Sequence, residues 1–179
     1  MKRIFDIVFS IFALLMTGWL LLICYVIATL ETFSNGLFLQ KRVGQYGKVF
    51  TIFKLKTIHP KTGQVTFFGG FFRKYKVDEL PQFFNVLLGH MAVVGPRPDI
   101  EGYYDQLQGE SRKILELKPG LTSEASIKYY NEDQLLDQQE NPLIYNDTVL
   151  FPDKIKMNLK YYYHHNLIID LKIIFKTIF

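Results

Sequence analysis

From Ile7 to Leu30 the chain carries no charged side chain, and much of its apolar weight lies in this run. A helix needs about 20 predominantly apolar residues to cross a bilayer, so the run is long enough to enter one. Lys2 and Arg3 precede it, and Lys41, Arg42 and Lys48 follow it. The pattern then changes to short strands. Phe38-Leu39-Gln40-Lys41-Arg42-Val43 and Val49-Phe50-Thr51-Ile52-Phe53 flank a turn that holds Gly44 and Gly47, which predicts a β-hairpin. Lys54 and Lys56 extend one face of its second strand. Residues 57–66 read as a polar loop.

Helical signals follow. Phe67 to Phe72 is aromatic and Gly-rich, and Arg73-Lys74-Tyr75-Lys76 is basic. That pairing fits either a surface lying on lipid headgroups or a buried segment followed by a solvated turn. Glu79 to Leu88 reads as a helix, with Asp78 as its N-cap, Pro81 in the first turn and Gly89 at the C-cap. A further helix is expected over Ile100 to Leu117, ended by Lys118-Pro119-Gly120. Residues 131–141 are acidic and Gln-rich, an exposed helix or loop. Phe151-Pro152-Asp153 starts another helix. Past Asn166 the chain is apolar except for Asp170, Lys172, Lys176 and Thr177, so its end packs in the core or lies along a membrane. The fold class is α+β, mainly helical, with one short hairpin.

Three readings of the apolar run stand side by side. It is a transmembrane helix by length. It is a signal peptide by its basic start, although it exceeds the usual apolar stretch of about 7–15 residues. It is a re-entrant hairpin by the positive charge on both flanks, since positive flanks favour the cytoplasmic side. Thr17-Gly18 lies near its middle, where glycine loosens a helix less than proline does.

Composition narrows the class of function. The chain has 179 residues, enough for a real core. Its net charge of +4 comes without zinc-ligand spacing or an RNA-binding sheet motif, so nucleic acid is not an expected partner. Anionic headgroups or a phosphorylated substrate account for the basic excess equally well. Cys24 is the only cysteine, which excludes an internal disulfide.

Two places carry candidate chemistry. Asp78 and Glu79 are adjacent carboxylates at a helix start. As an N-cap, Asp78 would be favoured in its ionised form by the helix dipole, and a carboxylate that attacks a phosphate forms an acyl phosphate. Glu79 would handle a proton or help hold a metal. Arg97 stands between Pro96 and Pro98, which fix the backbone around a side chain able to bind phosphate bidentately. Lys54, Lys56 and Arg73 are additional candidate phosphate contacts. Each of these has an ordinary alternative as an acidic cap, a turn arginine or a solvated cation. His59, His90, His164 and His165 show no ligand spacing.

In combination the motifs are more specific. Lys2-Arg3-Ile4-Phe5-Asp6, Gln40-Lys41-Arg42-Val43-Gly44, Phe50 through Thr57, Asp78-Glu79-Leu80-Pro81-Gln82, Asn85-Val86-Leu87, Val94-Gly95-Pro96-Arg97-Pro98 and Lys118-Pro119-Gly120-Leu121-Thr122 occur in that order. The chain thereby resembles the bacterial sugar transferase family, the monotopic phosphoglycosyl transferases, over nearly its whole length. The resemblance implies transfer of a sugar 1-phosphate from a UDP-sugar to polyprenyl phosphate, with release of UMP. It implies Asp78 as the nucleophile of a covalent phosphosugar intermediate and as a ligand of the required Mg2+. It makes Glu79 the partner carboxylate and Arg97 a substrate contact. It also implies a re-entrant membrane helix-break-helix over residues 1–34. The catalytic domain, residues 35–179, would then lie with interfacial helices on the cytoplasmic face of the bacterial inner membrane.

The chain departs from the family's pattern in four places. Thr17-Gly18-Trp19 stands where Ser-Pro usually breaks the helix, and Lys56 where arginine is frequent. His90 and Ala92 replace the usual Asp and Ser. Ser123-Glu124-Ala125-Ser126 replaces the common Gly-Trp-Ala-Gln, which bears on sugar preference. Two other functions share the anchor and the fold: a phosphohydrolase with water as acceptor, and a non-catalytic membrane adaptor.

Overall fold

The computed structural model describes residues 1–178. The elements run α1 (Lys2–Thr32), β1 (Leu37–Val43), β2 (Val49–Leu55), α2 (Phe67–Lys74), α3 (Gln82–Leu88), β3 (Ala92–Val94), β4 (Gly120–Thr122), α4 (Glu124–Lys128), α5 (Glu132–Asp137), α6 (Pro142–Tyr145), α7 (Phe151–His164) and α8 (Leu167–Ile178). The α+β, mainly helical class expected from the sequence is the class observed. The chain divides into two compact units. The first holds Arg3–Arg42 and Val49–Val93; the second holds Lys2, Val43–Lys48 and Val94–Phe179.

The first unit is built around α1. This helix is continuous over 31 residues, so the break expected at Thr17-Gly18-Trp19 does not appear as an unwound segment. The physical reason is that Gly18, unlike proline, keeps its N–H for the hydrogen-bond ladder, while Thr17 Oγ1 donates back to Ala13 O at 2.8 Å. Among the described residues α1 is the one helix long and apolar enough to cross a membrane by length and composition. No residue from Ile11 to Ile23 is buried.

Its two ends are packed and polar-bonded. Near the start, the Arg3 guanidinium donates to two of the last carbonyls of α3, Val86 O at 2.6 Å and Leu87 O at 2.9 Å; Val86 O also accepts the Gly89 N–H at 3.0 Å. Asp6, fully buried, accepts the Val93 N–H at 3.0 Å. Near the far end, Cys24 and Ala28 form a core with Leu55 and Phe72. Glu31 Oε1 there accepts the Phe68 N–H in the first turn of α2 at 3.1 Å. These contacts explain why charged residues flank the apolar run: each of the three serves the fold.

The hairpin forms as expected, β1 beside β2. In α2, Thr66 caps the Gly69 N–H, and only Gly69 and Phe72 are buried. Phe67, Phe68, Phe71 and Tyr75 are exposed, which decides between the two sequence readings of this segment in favour of a surface. Gly89 ends α3, as expected.

In the second unit, the helix expected over Ile100–Leu117 is replaced by two short 3-10 turns, Tyr104–Gln106 and Gly109–Glu116. Gly102 and Gly109 adopt positive φ, which a continuous α-helix cannot accommodate, and the Asp105 carboxylate holds the Gly102 N–H at 2.7 Å. Ile114 and Leu115 still reach a core with Val43, Tyr104 and Ile155. Residues 132–137 form the exposed helix α5, and α7 starts at Phe151 with Pro152 in its first turn, as the sequence predicts. On α8, Ile173 and Ile174 are buried, as core packing predicts, while Leu167, Ile168, Leu171 and Phe175 are exposed.

Asp170 on α8 is fully buried, and it is paired with Lys2 at 2.5 Å and with the Tyr161 hydroxyl at 2.5 Å. The Lys2 ammonium also donates to Val94 O at 3.0 Å. Removing one partner of such a pair strands a buried charge. Lys2 is 32% exposed, so Lys2→Met is expected to cost at the lower end of the range for breaking a buried pair, about 3 kcal/mol. Asp170→Asn, which keeps an acceptor for Tyr161, is expected to cost less. Denaturant unfolding in detergent checks both.

Candidate active site

The Asp78-Glu79 pair does not cap α3. Lys76 takes a left-handed backbone, φ 56° and ψ 21°, and turns the chain into a 3-10 turn over Val77–Glu79. The Glu79 N–H closes that turn on Lys76 O at 3.1 Å. Pro81, which has no N–H to be satisfied, then occupies the cap position of α3, and no side-chain cap is made. The expected N-cap role of Asp78 is therefore corrected. A lysine in the left-handed region is unusual and marks a strained position immediately ahead of the carboxylates.

Asp78 is 8% exposed, and its Oδ1 atom is buried without a hydrogen-bond partner. The sequence expectation was a carboxylate favoured in its charged form. The structure gives the opposite direction. Burial pushes the Asp78 carboxyl above the usual carboxylate range, the adjacent Glu79 charge pushes it further, and Lys54 and Lys76 pull it partly back.

Lys54 on β2 reaches this pair: its ammonium lies 3.3 Å from Glu79 Oε1. Both side chains are largely withdrawn from solvent, 18% and 13% exposed. Lys56 donates instead to Ser34 Oγ at 2.8 Å. Arg73 lies in the last turn of α2 and is exposed. Among the predicted residues of the first unit, the structure thus joins Lys54 to the dyad and gives Lys56 a partner in the segment after α1. Lys76 was visible in the sequence only as one of a basic run. Its position two residues before Asp78 was the available signal; its backbone conformation was not.

Asn85 was also missed as more than a motif residue. Its side chain is fully buried. Oδ1 accepts the Phe53 N–H at 2.9 Å, and Nδ2 donates to Thr51 O at 2.7 Å. It therefore ties α3, which follows the dyad, to β2, which carries Lys54.

In the second unit, Arg97 is exposed at the lip of a small cavity that Val43, Pro96, Tyr104, Leu115 and Pro119 help to line. Its loop is clamped by backbone. The Gly95 N–H donates to Thr122 O at 3.0 Å and the Gly120 N–H to Pro96 O at 2.8 Å. A Cβ at Gly95 would stand 2.3 Å from Lys118 O, and one at Gly120 would stand 2.1 Å from Gly95 N. Only glycine permits that approach. This is the physical content of the Lys118-Pro119-Gly120-Leu121-Thr122 motif: it buttresses the Pro-Arg-Pro loop.

Two adjacent carboxylates, one with an unpartnered buried oxygen, are a donor set that suits Mg2+. That ion is ordinarily held by one or two carboxylates, with substrate phosphate oxygens and water completing the shell. Among the described residues no group of three or more His, Cys, Asp or Glu is placed to hold a metal ion.

The raised Asp78 carboxyl has a consequence for stability. The folded state holds its proton more tightly than the unfolded chain does. This group's contribution is therefore unaffected at acid pH and becomes destabilising as pH rises above the ordinary Asp value, 3.8. Asp78→Asn is expected to raise the melting temperature at neutral pH without divalent cation, and the gain is expected to shrink as pH falls toward 4. Thermal unfolding of both proteins across that range measures it.

Comparison with known proteins identifies the group to which the chain belongs. The family model described as bacterial sugar transferase matches residues 1–179. The chain is 30% identical to the uncharacterized sugar transferase EpsL of Bacillus subtilis, covering 99% of this chain and 85% of that protein. It is 33% identical to a UDP-N-acetylgalactosamine-undecaprenyl-phosphate N-acetylgalactosaminephosphotransferase of Aeromonas hydrophila. It is 34% identical to a UDP-glucose:undecaprenyl-phosphate glucose-1-phosphate transferase of Klebsiella pneumoniae. It covers 42% and 39% of those two longer proteins. With a whole-length family match and these relatives, the chain is a member of the bacterial sugar transferase family.

Proposed function

We propose that this protein is a membrane-bound phosphoglycosyl transferase. It moves a sugar 1-phosphate from a UDP-sugar to undecaprenyl phosphate and so starts a membrane-bound glycan. The observation that carries the reading is the buried Asp78 carboxylate beside Glu79, with Lys54 of β2 reaching Glu79. The names of the Aeromonas and Klebsiella relatives supply the reaction class.

The proposed chemistry has two displacements. An Asp78 oxygen attacks the sugar-bearing phosphorus of the diphosphate. The bond between that phosphorus and the bridging oxygen breaks, UMP leaves with the bridging oxygen, and an acyl phosphate carrying the sugar remains on Asp78. An oxygen of undecaprenyl phosphate then attacks the same phosphorus. The bond to Asp78 breaks and its carboxylate returns. Both steps leave the oxidation level of every atom unchanged. Burial makes the Asp78 carboxylate poorly solvated and therefore reactive once charged. Glu79 and Lys54 set the local charge, and Arg97 offers a forked cation for a substrate phosphate. Mg2+ bound through Asp78, with Glu79 adjacent, would neutralise diphosphate charge.

The membrane reading rests on α1. Arg3 and Asp6 are bonded to the same unit in which Cys24, Ala28 and Glu31 are packed. The unburied stretch between these anchors, Ile11 to Ile23, is about 20 Å of helix, short of the roughly 30 Å hydrocarbon core. A compact unit holding both ends favours both ends of α1 lying on one side of the inner membrane, with the helix set into that face. That face is cytoplasmic if the donor is a cytosolic UDP-sugar.

Two measurements test this. A panel of UDP-sugars is screened for UMP release with undecaprenyl phosphate and Mg2+. One sugar is expected to support turnover that depends on the lipid, and Asp78→Asn is expected to lower it by several orders of magnitude. Near-normal release by folded Asp78→Asn, or release independent of the lipid, contradicts the proposal. Arg97→Lys is expected to be impaired and Arg97→Ala more so, because lysine keeps the charge without the fork. For topology, Ile4→Cys in a Cys24→Ser background gives one thiol at an exposed site. In intact cells an impermeant maleimide is expected to leave it unlabelled while a permeant one labels it. Labelling from outside would refute the same-face arrangement.

A further inference from the structure

We infer that Asn85 is a positioning residue for the reaction: it holds β2 in the register that keeps Lys54 against Glu79. The inference rests on the transferase reading above and adds a residue that touches no substrate.

Among the described residues no strand lies beside the outer edge of β2; its hairpin partner β1 lies on the other edge. Residues i and i+2 of a strand direct an N–H and a C=O to the same edge, where a neighbouring strand would pair with both. At Thr51 and Phe53 that neighbour is one side chain. The Asn85 amide accepts from Phe53 N–H at 2.9 Å and donates to Thr51 O at 2.7 Å. Asn85 is fully buried, so losing its amide would leave backbone groups without partners in a dry place. Lys54 is the next residue along β2, and its ammonium meets Glu79 Oε1 at 3.3 Å.

Asn85 also sits on α3, which begins just after the dyad turn. The far end of α3 is in turn held by Arg3 at Val86 O and Leu87 O. The two segments that bring Lys54 and Glu79 together are thus stitched by a side chain three residues from the Gln82 that opens α3. No other residue type supplies an acceptor and a donor on one short planar group of this size except aspartic acid in its protonated form. Alanine supplies neither.

The test is a double-mutant cycle on kcat and KM for UMP release, with the UDP-sugar that supports wild-type turnover, undecaprenyl phosphate and Mg2+. Unfolding is measured in parallel on each protein. Asn85→Ala is expected to lower kcat about tenfold or more with a much smaller change in KM. In a Lys54→Met background the same substitution is expected to change kcat by less than about twofold, because its effect passes through Lys54. If Asn85→Ala lowers kcat equally in both backgrounds, or only in proportion to the fraction unfolded, Asn85 is a structural residue and the inference fails. If Asn85→Ala does not fold, Asn85→Ser goes through the same cycle under the same criteria. A wild-type protein without turnover on any UDP-sugar sinks the transferase reading instead, which keeps the two failures distinct.

Discussion

The structure turns on one electrostatic constraint: two adjacent carboxylates are held mostly out of water beside a single lysine of β2 that reaches one of them. Asp78 and Glu79 repel each other at the shortest spacing a chain permits, and burial removes the solvent that would screen them. Lys54 offsets part of this through Glu79, and Lys76 acts on Asp78 from a strained backbone. An arrangement of this kind costs stability once Asp78 is charged. It also explains why an unpartnered oxygen is tolerated at Asp78 Oδ1, where a purely structural carboxylate would be hydrogen-bonded.

Much of the rest of the first unit secures that constraint. Asn85 fixes β2 to α3, Arg3 bonds the last carbonyls of α3, and Asp6 holds the segment that follows. The apolar helix α1 is therefore part of the scaffold of the dyad, joined to it by buried polar bonds at its start and by apolar packing at its end. The exposed aromatic residues of α2, with Arg73 and Lys74 in its last turn, lie in the segment that leads directly into the dyad.

The legible parts of the sequence were those governed by local chemistry. The hairpin followed from alternation around Gly44 and Gly47, the end of α3 from Gly89, and the start of α7 from Phe151-Pro152-Asp153. The unread parts depended on contacts distant in sequence or on backbone strain. Asp78 looked like an N-cap because an acidic residue precedes a helical pattern, but the left-handed Lys76 moves the cap to Pro81. The segment 100–117 has helical composition, yet Gly102 and Gly109 at positive φ break it into 3-10 turns. The direction of the Asp78 shift was misread for the same reason: burial is set by α2, β2 and α3 together, and no local pattern reports it. The roles of Lys2, Arg3 and Asp6 were visible only as a motif, because their partners lie more than eighty residues away.

The central claim is that Asp78 becomes covalently attached to the phosphosugar. The most direct measurement is mass spectrometry of the intact protein mixed with its UDP-sugar and Mg2+ in the absence of undecaprenyl phosphate, quenched in acid and then mapped by peptide. The account predicts an added mass equal to one sugar phosphate, carried on the peptide that contains Asp78 and lost when the lipid acceptor is supplied before quenching. An adduct on another residue, or full turnover with no adduct under single-turnover conditions, would contradict it.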